Sequence, residues 1–312
     1  MFAPSLDRVA SRMDAKTLYV IGNGFDLHHG IQSKYEHFKE FVRSNDSEVF
    51  DWVEDYIPAG EDWSHLELSL AELDTENIVD ERTQFLGSYG ADDWSDSGHH
   101  DFQYEIERVA TGLSTTLQGL FSQWVSSLTI PDPGSATVML KTLDPKAFYL
   151  TFNYTNTLTK LYGIEADQVL HIHGSEEEGD ELILGHAWEA QHRTPLNQQD
   201  DDPDSYDHRI AEAMAELDDY FEKTFKPSQK IIADNDAFFR GLDSVEEVRV
   251  LGHSLSKVDE LYFVNLIEGL KGRPVSWVIA LRKGANLEEV RQSLIGFGVE
   301  GTLMSFKLWS DI

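Results

Sequence analysis

Residues 16–38 read KTLYVIGNGFDLHHGIQSKYEHF, and this stretch decides the fold. Leu18-Tyr19-Val20-Ile21 is a short apolar run that ends at a glycine. Such a run suits a strand buried on both faces, as in the middle of a parallel sheet. Gly22-Asn23-Gly24 follows at once, and two glycines permit a sharp bend and close approach of another group. The residues after the bend read as the opening of a helix. A strand, a glycine bend and a helix N-terminus together form an anion site, because free N–H groups and the helix dipole converge there.

The bend is not a dehydrogenase fingerprint. After Gly24 the next glycine is Gly30, so GxGxxG is absent. No clear second strand ends in an acidic residue about 20 positions on, where a dehydrogenase would hold the ribose. Hydride transfer is therefore disfavoured, while dinucleotide binding is not.

Composition narrows the function classes further. The 312 residues carry a formal net charge of −31, which repels nucleic-acid backbones and disfavours a DNA or RNA binder. There is no cysteine, so disulfides and thiolate metal sites are excluded. The first residues include Asp7, Arg8, Arg12 and Asp14 and lack a signal-peptide core. No apolar run approaches the roughly 18 residues that span a bilayer. These features predict a cytoplasmic protein with no membrane association.

Beyond a lead-in at 1–15, strands are expected at 18–21, 147–152, 169–173, 248–251, 275–281 and 302–308, with a short hairpin strand at 182–184. Residues 40–130 read instead as a mainly helical insertion. Phe38, Phe41 and Val42 share one helical face, as do Leu66, Leu70 and Leu73. Ile106, Val109, Leu113, Leu117, Leu120 and Phe121 form another stripe. Residues 87–102 read as a polar loop, and residues 176–206 carry an acidic loop that is mobile over 189–205. The expectation is a single α/β domain over 16–312, with a Rossmann-like parallel sheet and a large helical insertion. The acidic insertion is a candidate surface for a protein partner or for homo-oligomerisation.

In open α/β sheets ligands bind beyond the carboxyl ends of the strands. Four predicted strand ends carry polar or small residues: Gly22, Asn23, Gly24 and Asp26; Asn153-Tyr154-Thr155-Asn156; His171, His173, Gly174 and Ser175; and Gly252-His253-Ser254 with Asp259 further on. Their convergence is a stronger signal than any one motif. Each also has a structural explanation. Asn153 could cap a helix, His173 could be a hydrogen-bonded core residue, Asp26 suits a first helical turn, and Gly252-His253-Ser254 suits a plain turn.

The stretch IGNGFDLHHGIQSKYEHF resembles the signature of the AbiH family of bacterial abortive-infection proteins. Trp63-Ser64-His65-Leu66-Glu67 and residues 251–263, LGHSLSKVDELYF, extend the resemblance over most of the chain. The same order of motifs is similar to a diverged sirtuin-like fold. That likeness implies NAD as substrate or ligand, with Gly22, Asn23, Gly24 and Asp26 at the dinucleotide. Asn153 would sit near the nicotinamide ribose, His173 would act as general base, and Gly252, His253 and Ser254 would lie near the adenosine half. Tyr154 and Thr155 stand where a sirtuin expects an aspartate, and the cysteine zinc module is missing, so protein deacetylation is not implied. Hydrolysis of NAD at the nicotinamide–ribose bond is, in anti-phage defence. Two other readings stay open. One is a metal-dependent hydrolase or phosphoesterase using His171, His173 and His253 with Asp26, His186 or Asp259. The other is a non-catalytic nucleotide sensor.

Overall fold

Leu18 and Val20 alternate with Tyr19 and Ile21 along the first strand, and all four are buried. Successive side chains of a strand point to opposite faces, so both faces of this strand are covered. A computed structural model of the chain describes residues 15–86, 101–136, 138–140, 143–177, 179–187, 195–196 and 207–312. Most of the expected lead-in, of the 87–102 loop and of the acidic loop lies outside the described residues. The chain divides into two compact units. One comprises residues up to Lys34, Val125–Ile183 and Pro227–Ile312; the other comprises Tyr35–Trp124 and Leu184–Lys226.

The first unit holds a sheet of six strands: β1 (Thr17–Ile21), β2 (Phe148–Thr151), β3 (Val169–His171), β4 (Glu247–Leu251), β5 (Ser276–Leu281) and β6 (Met304–Leu308). Their order is β3-β2-β1-β4-β5-β6, and every pairing is parallel. This is the Rossmann order, whose direction reverses between β1 and β4. In register, Ile21 pairs with Thr151 on one side and with Leu251 on the other. On one face Leu18, Val20, Leu150, Val248, Val250 and Ile279 pack with Tyr262, Phe263 and Leu266. On the opposite face Tyr19 stacks on Tyr149 with centroids 4.8 Å apart, among Phe25, Leu158 and Trp309.

Two expectations are corrected. Residues 182–184 form no strand: Leu182 and Leu184 are buried, but in irregular chain, where Ile183 N–H donates to His173 O at 3.0 Å. The apolar residues reflect loop packing rather than a ladder. The predicted strand over 169–173 stops at His171, since Gly174 N–H turns back to His171 O at 3.2 Å.

Among the described residues of the second unit there is no strand, in keeping with the helical patterning. Helix His208–Lys223 packs along helix Asp101–Thr111. The latter begins inside the segment expected to be a loop. Asp46 caps helix Ser47–Tyr56 by accepting from Val49 N–H at 3.1 Å. Phe38, Trp63, Phe121 and Trp124 form an aromatic core, and Leu66, Leu70 and Leu73 are buried as their spacing implied. Among the described residues no helix is long and apolar enough to cross a membrane.

Candidate functional site

The carboxyl ends of β1 to β4 meet through specific side chains, all within the first unit. Asp26 lies one turn beyond the glycine bend, in the short helix Gly24–His28, and is only 1% exposed. Thr155 Oγ1 donates to its Oδ2 at 2.6 Å and Thr157 Oγ1 donates to its Oδ1 at 2.8 Å. Burial raises the Asp26 pKa from the usual carboxylate range to about 6, and the bonds from Thr155 and Thr157 oppose that rise without cancelling it. The result is a buried carboxyl group poised near neutrality, a property common at functional sites.

Asn153 stands beside it at the end of β2, 6% exposed. Its main chain is anchored: the N–H donates to Thr151 Oγ1 at 3.1 Å, and the carbonyl accepts from His171 Nδ1 at 3.0 Å. Its side chain is not. The carboxamide lies near enough to favour the charged form of Asp26, yet Nδ2 and Oδ1 are both buried without a hydrogen bond of ordinary geometry. Asn153 does not cap the next helix, Thr157–Tyr162, whose N-cap position is Asn156. A buried amide with neither end satisfied costs stability, so a native structure that keeps one has reason to do so.

The third and fourth strand ends meet at Asp259. Its Oδ1 lies 3.8 Å from His173 Nε2 and its Oδ2 lies 3.5 Å from His253 Nε2. Leu255 N–H donates to His253 Nδ1 at 2.9 Å, which puts the proton of neutral His253 on Nε2, toward the carboxylate. The Phe152 ring contacts both histidines, at 5.3 Å and 4.3 Å between centroids. His173 is 4% exposed and also packs against Tyr262, so the core description holds for its surroundings, with the carboxylate added. His171 and His173 do not act as one pair: the first serves Asn153 O and the second faces Asp259. Among the described residues no group of three or more histidines and carboxylates is arranged to hold a metal ion. His186 belongs to the second unit.

The glycine bend is packed against the loop after β4. A Cβ on Gly22 would lie 2.4 Å from His253 Cα, and one on Gly24 would lie 2.7 Å from Gly252 Cα. Gly22 N–H donates to Leu251 O at 3.0 Å and Gly24 N–H donates to Gly252 O at 2.8 Å. These two donors are engaged by the end of β4 and the loop after it. The helix behind them has five residues and ends before Gly30, so its dipole is small. Asn23 Nδ2 donates to Ser33 O at 2.7 Å, and Ser33 Oγ donates back to Asn23 Oδ1 at 2.5 Å. Ser254 is exposed beyond Gly252. Thr157 is not singled out by the sequence, although the alternating hydroxyls of Thr155-Asn156-Thr157 were a usable sign of it.

An open, all-parallel sheet in Rossmann order, with acid, amide and imidazole groups gathered at its strand ends, defines an α/β protein of the doubly wound class. The family model described as "Bacteriophage abortive infection AbiH" matches residues 18–281, most of the chain. The chain belongs to that family, and its setting is abortive infection in defence against phage. No curated protein sequence matches it.

Proposed function

We propose that this protein is an abortive-infection effector that binds NAD and hydrolyses its nicotinamide–ribose bond, on a diverged sirtuin-like fold in the cytoplasm. The observation that carries this reading is the unsatisfied, buried carboxamide of Asn153 beside the near-neutral carboxyl of Asp26, at the strand ends of a Rossmann-order sheet. Donor and acceptor atoms left open there suit a ribose hydroxyl or a water molecule.

In the reaction the C1′–N bond breaks and its electron pair departs with neutral nicotinamide. A water oxygen forms the new bond to C1′, so the leaving group needs little acid catalysis. The demand is to orient the water and to stabilise an oxocarbenium-like ribose. Asn153 orients the water or the ribose, and Asp26, held by Thr155 and Thr157, supplies negative charge nearby. The imidazole of His173 takes the proton, and Asp259 offsets the imidazolium. Because the Gly22 and Gly24 N–H groups are engaged, this reading does not use them for the diphosphate.

The test is nicotinamide release from NAD by the purified chain, repeated in cells with and without phage. Release should be lost in Asn153→Ala and in His173→Ala. Binding without release would reduce the protein to a nucleotide sensor, and unchanged turnover in both variants would remove the assignment.

A further inference from the structure

The geometry points to a second functional element at the same strand ends: we propose that Arg282, assisted by Lys283, binds the diphosphate of a nucleotide ligand. This rests on the dinucleotide reading above and supplies the part that the glycine bend does not. Arg282 is the residue immediately after β5, which lies next to β4 and is one strand removed from the point where strand order reverses. A Cβ added to Gly24 would lie 3.1 Å from Arg282 Nη2, so the guanidinium rests on the bend itself.

Two further facts support a ligand role. The chain has 56 acidic residues against 25 Lys and Arg, so most cations have carboxylates available. Yet Arg282, unlike the other arginines among the described residues, forms no ion pair or side-chain hydrogen bond, and both it and Lys283 are exposed. Ala285 N–H closes a turn onto Arg282 O at 3.0 Å, with Gly284 at φ +86°, which fixes the backbone that carries both cations. Second, a dianionic diphosphate is repelled by the field of a chain at net −31 unless positive charge is placed locally. A guanidinium offers paired donors that match phosphate oxygens and stays charged at any working pH.

The experiment is calorimetric titration of the full chain with ADP, ADP-ribose and adenosine at one ionic strength. The wild type should bind ADP and ADP-ribose at least about tenfold more tightly than adenosine. Arg282→Gln should erase about tenfold or more of the affinity for the two diphosphates and leave adenosine unchanged. Lys283→Gln should lose less, and Arg282→Lys should recover part. Because the side chain is exposed, the variants should melt with the wild type. A wild type with no preference for diphosphates, or an Arg282→Gln variant that binds ADP normally, overturns the proposal. If Arg282 controls ADP affinity while no nicotinamide is ever released, this proposal stands and NAD hydrolysis falls. If NAD is hydrolysed with an unchanged KM in Arg282→Gln, the reverse holds.

Discussion

The carboxylate of Asp26 and the hydroxyl of Thr157 are 131 residues apart in sequence and meet at 2.8 Å in the interior of the first unit. The bond ties the turn after β1 to the turn after β2, and it has a measurable pH signature. The folded protein holds the Asp26 proton more tightly than the unfolded chain does, with a pKa near 6 against 3.8. The contribution of this group to stability is therefore greatest below about pH 4, declines as pH rises through the range of about 4 to 6, and is lowest above it. The upper bound of the loss is roughly 3 kcal/mol. Asp26→Asn should abolish that decline and raise stability at pH 8 by about 1–3 kcal/mol. Urea denaturation at pH 4.5 and pH 8 checks it, and an identical pH dependence in wild type and variant would refute the assignment.

Thr157→Val should also have a pH-dependent cost, of the opposite direction. Without the hydroxyl, Oδ1 of the charged and buried carboxylate loses a donor. The cost should be about 1.5–3 kcal/mol at pH 8, where Asp26 is charged, and smaller at pH 4.5, where it is protonated. A cost equal at both values would mean that the loss is packing alone.

Asn153 separates stability from activity. Its carboxamide has no partner at ordinary hydrogen-bond geometry but favours the charged form of Asp26, so Asn153→Leu should change stability by no more than about 1 kcal/mol at pH 4.5 and cost more at pH 8. The same substitution should abolish nicotinamide release if the proposed reaction is correct. Thermal denaturation and the release assay on one preparation give both answers. A variant strongly destabilised at pH 4.5 would mean that the carboxamide has a structural partner after all.

The glycines test the packing account of the bend. Gly252 has φ +72°, and a Cβ there would lie 2.4 Å from Phe25 N and 2.5 Å from Gly24 C, both backbone atoms that cannot swing away. Gly252→Ala should cost about 3 kcal/mol or more. Gly284 has φ +86° with open space around the Cβ position, so Gly284→Ala should cost only the left-handed strain of about 1–2 kcal/mol. Chemical denaturation of the pair checks the contrast, and equal costs would contradict the close approach of the two loops.

These contacts also explain what could be read from the residues in order. The strands at 18–21, 248–251 and 275–281 were legible because central parallel strands need apolar side chains on both faces, and few other elements produce so short a run. Residues 182–184 carry the same signal for a different reason, because loop residues can be buried without joining a ladder. The strand ends were legible as a group, whereas their partners were not. Asp26 finds Thr155 and Thr157 only through parallel pairing of β1 with β2, and periodicity carries no information about that register. At the bend, a glycine needed for the close approach of a neighbouring backbone and one needed for a phosphate look the same in sequence. Only the position of Gly252 tells them apart.

A last prediction concerns the second unit, where the ammonium of Lys226 is fully buried and lies 2.9 Å from Glu67, whose side chain is 20% exposed. Tyr35 Oη–H also donates to Glu67, so the carboxylate has a second donor and some access to water, while the lysine lies wholly in the interior. The two partners should therefore respond unequally to truncation. Glu67→Gln removes the counter-charge of the buried cation and should cost about 3–5 kcal/mol, whereas Lys226→Met leaves a carboxylate that water and Tyr35 still support and should cost less. The double variant should be more stable than Glu67→Gln alone, because the buried cation that lost the Glu67 counter-charge is then gone as well. A double-mutant cycle by urea denaturation measures this coupling. Additive costs would mean that the two groups do not share an ion pair, and the larger loss in Lys226→Met would mean that Glu67, rather than Lys226, is the member that depends on its partner.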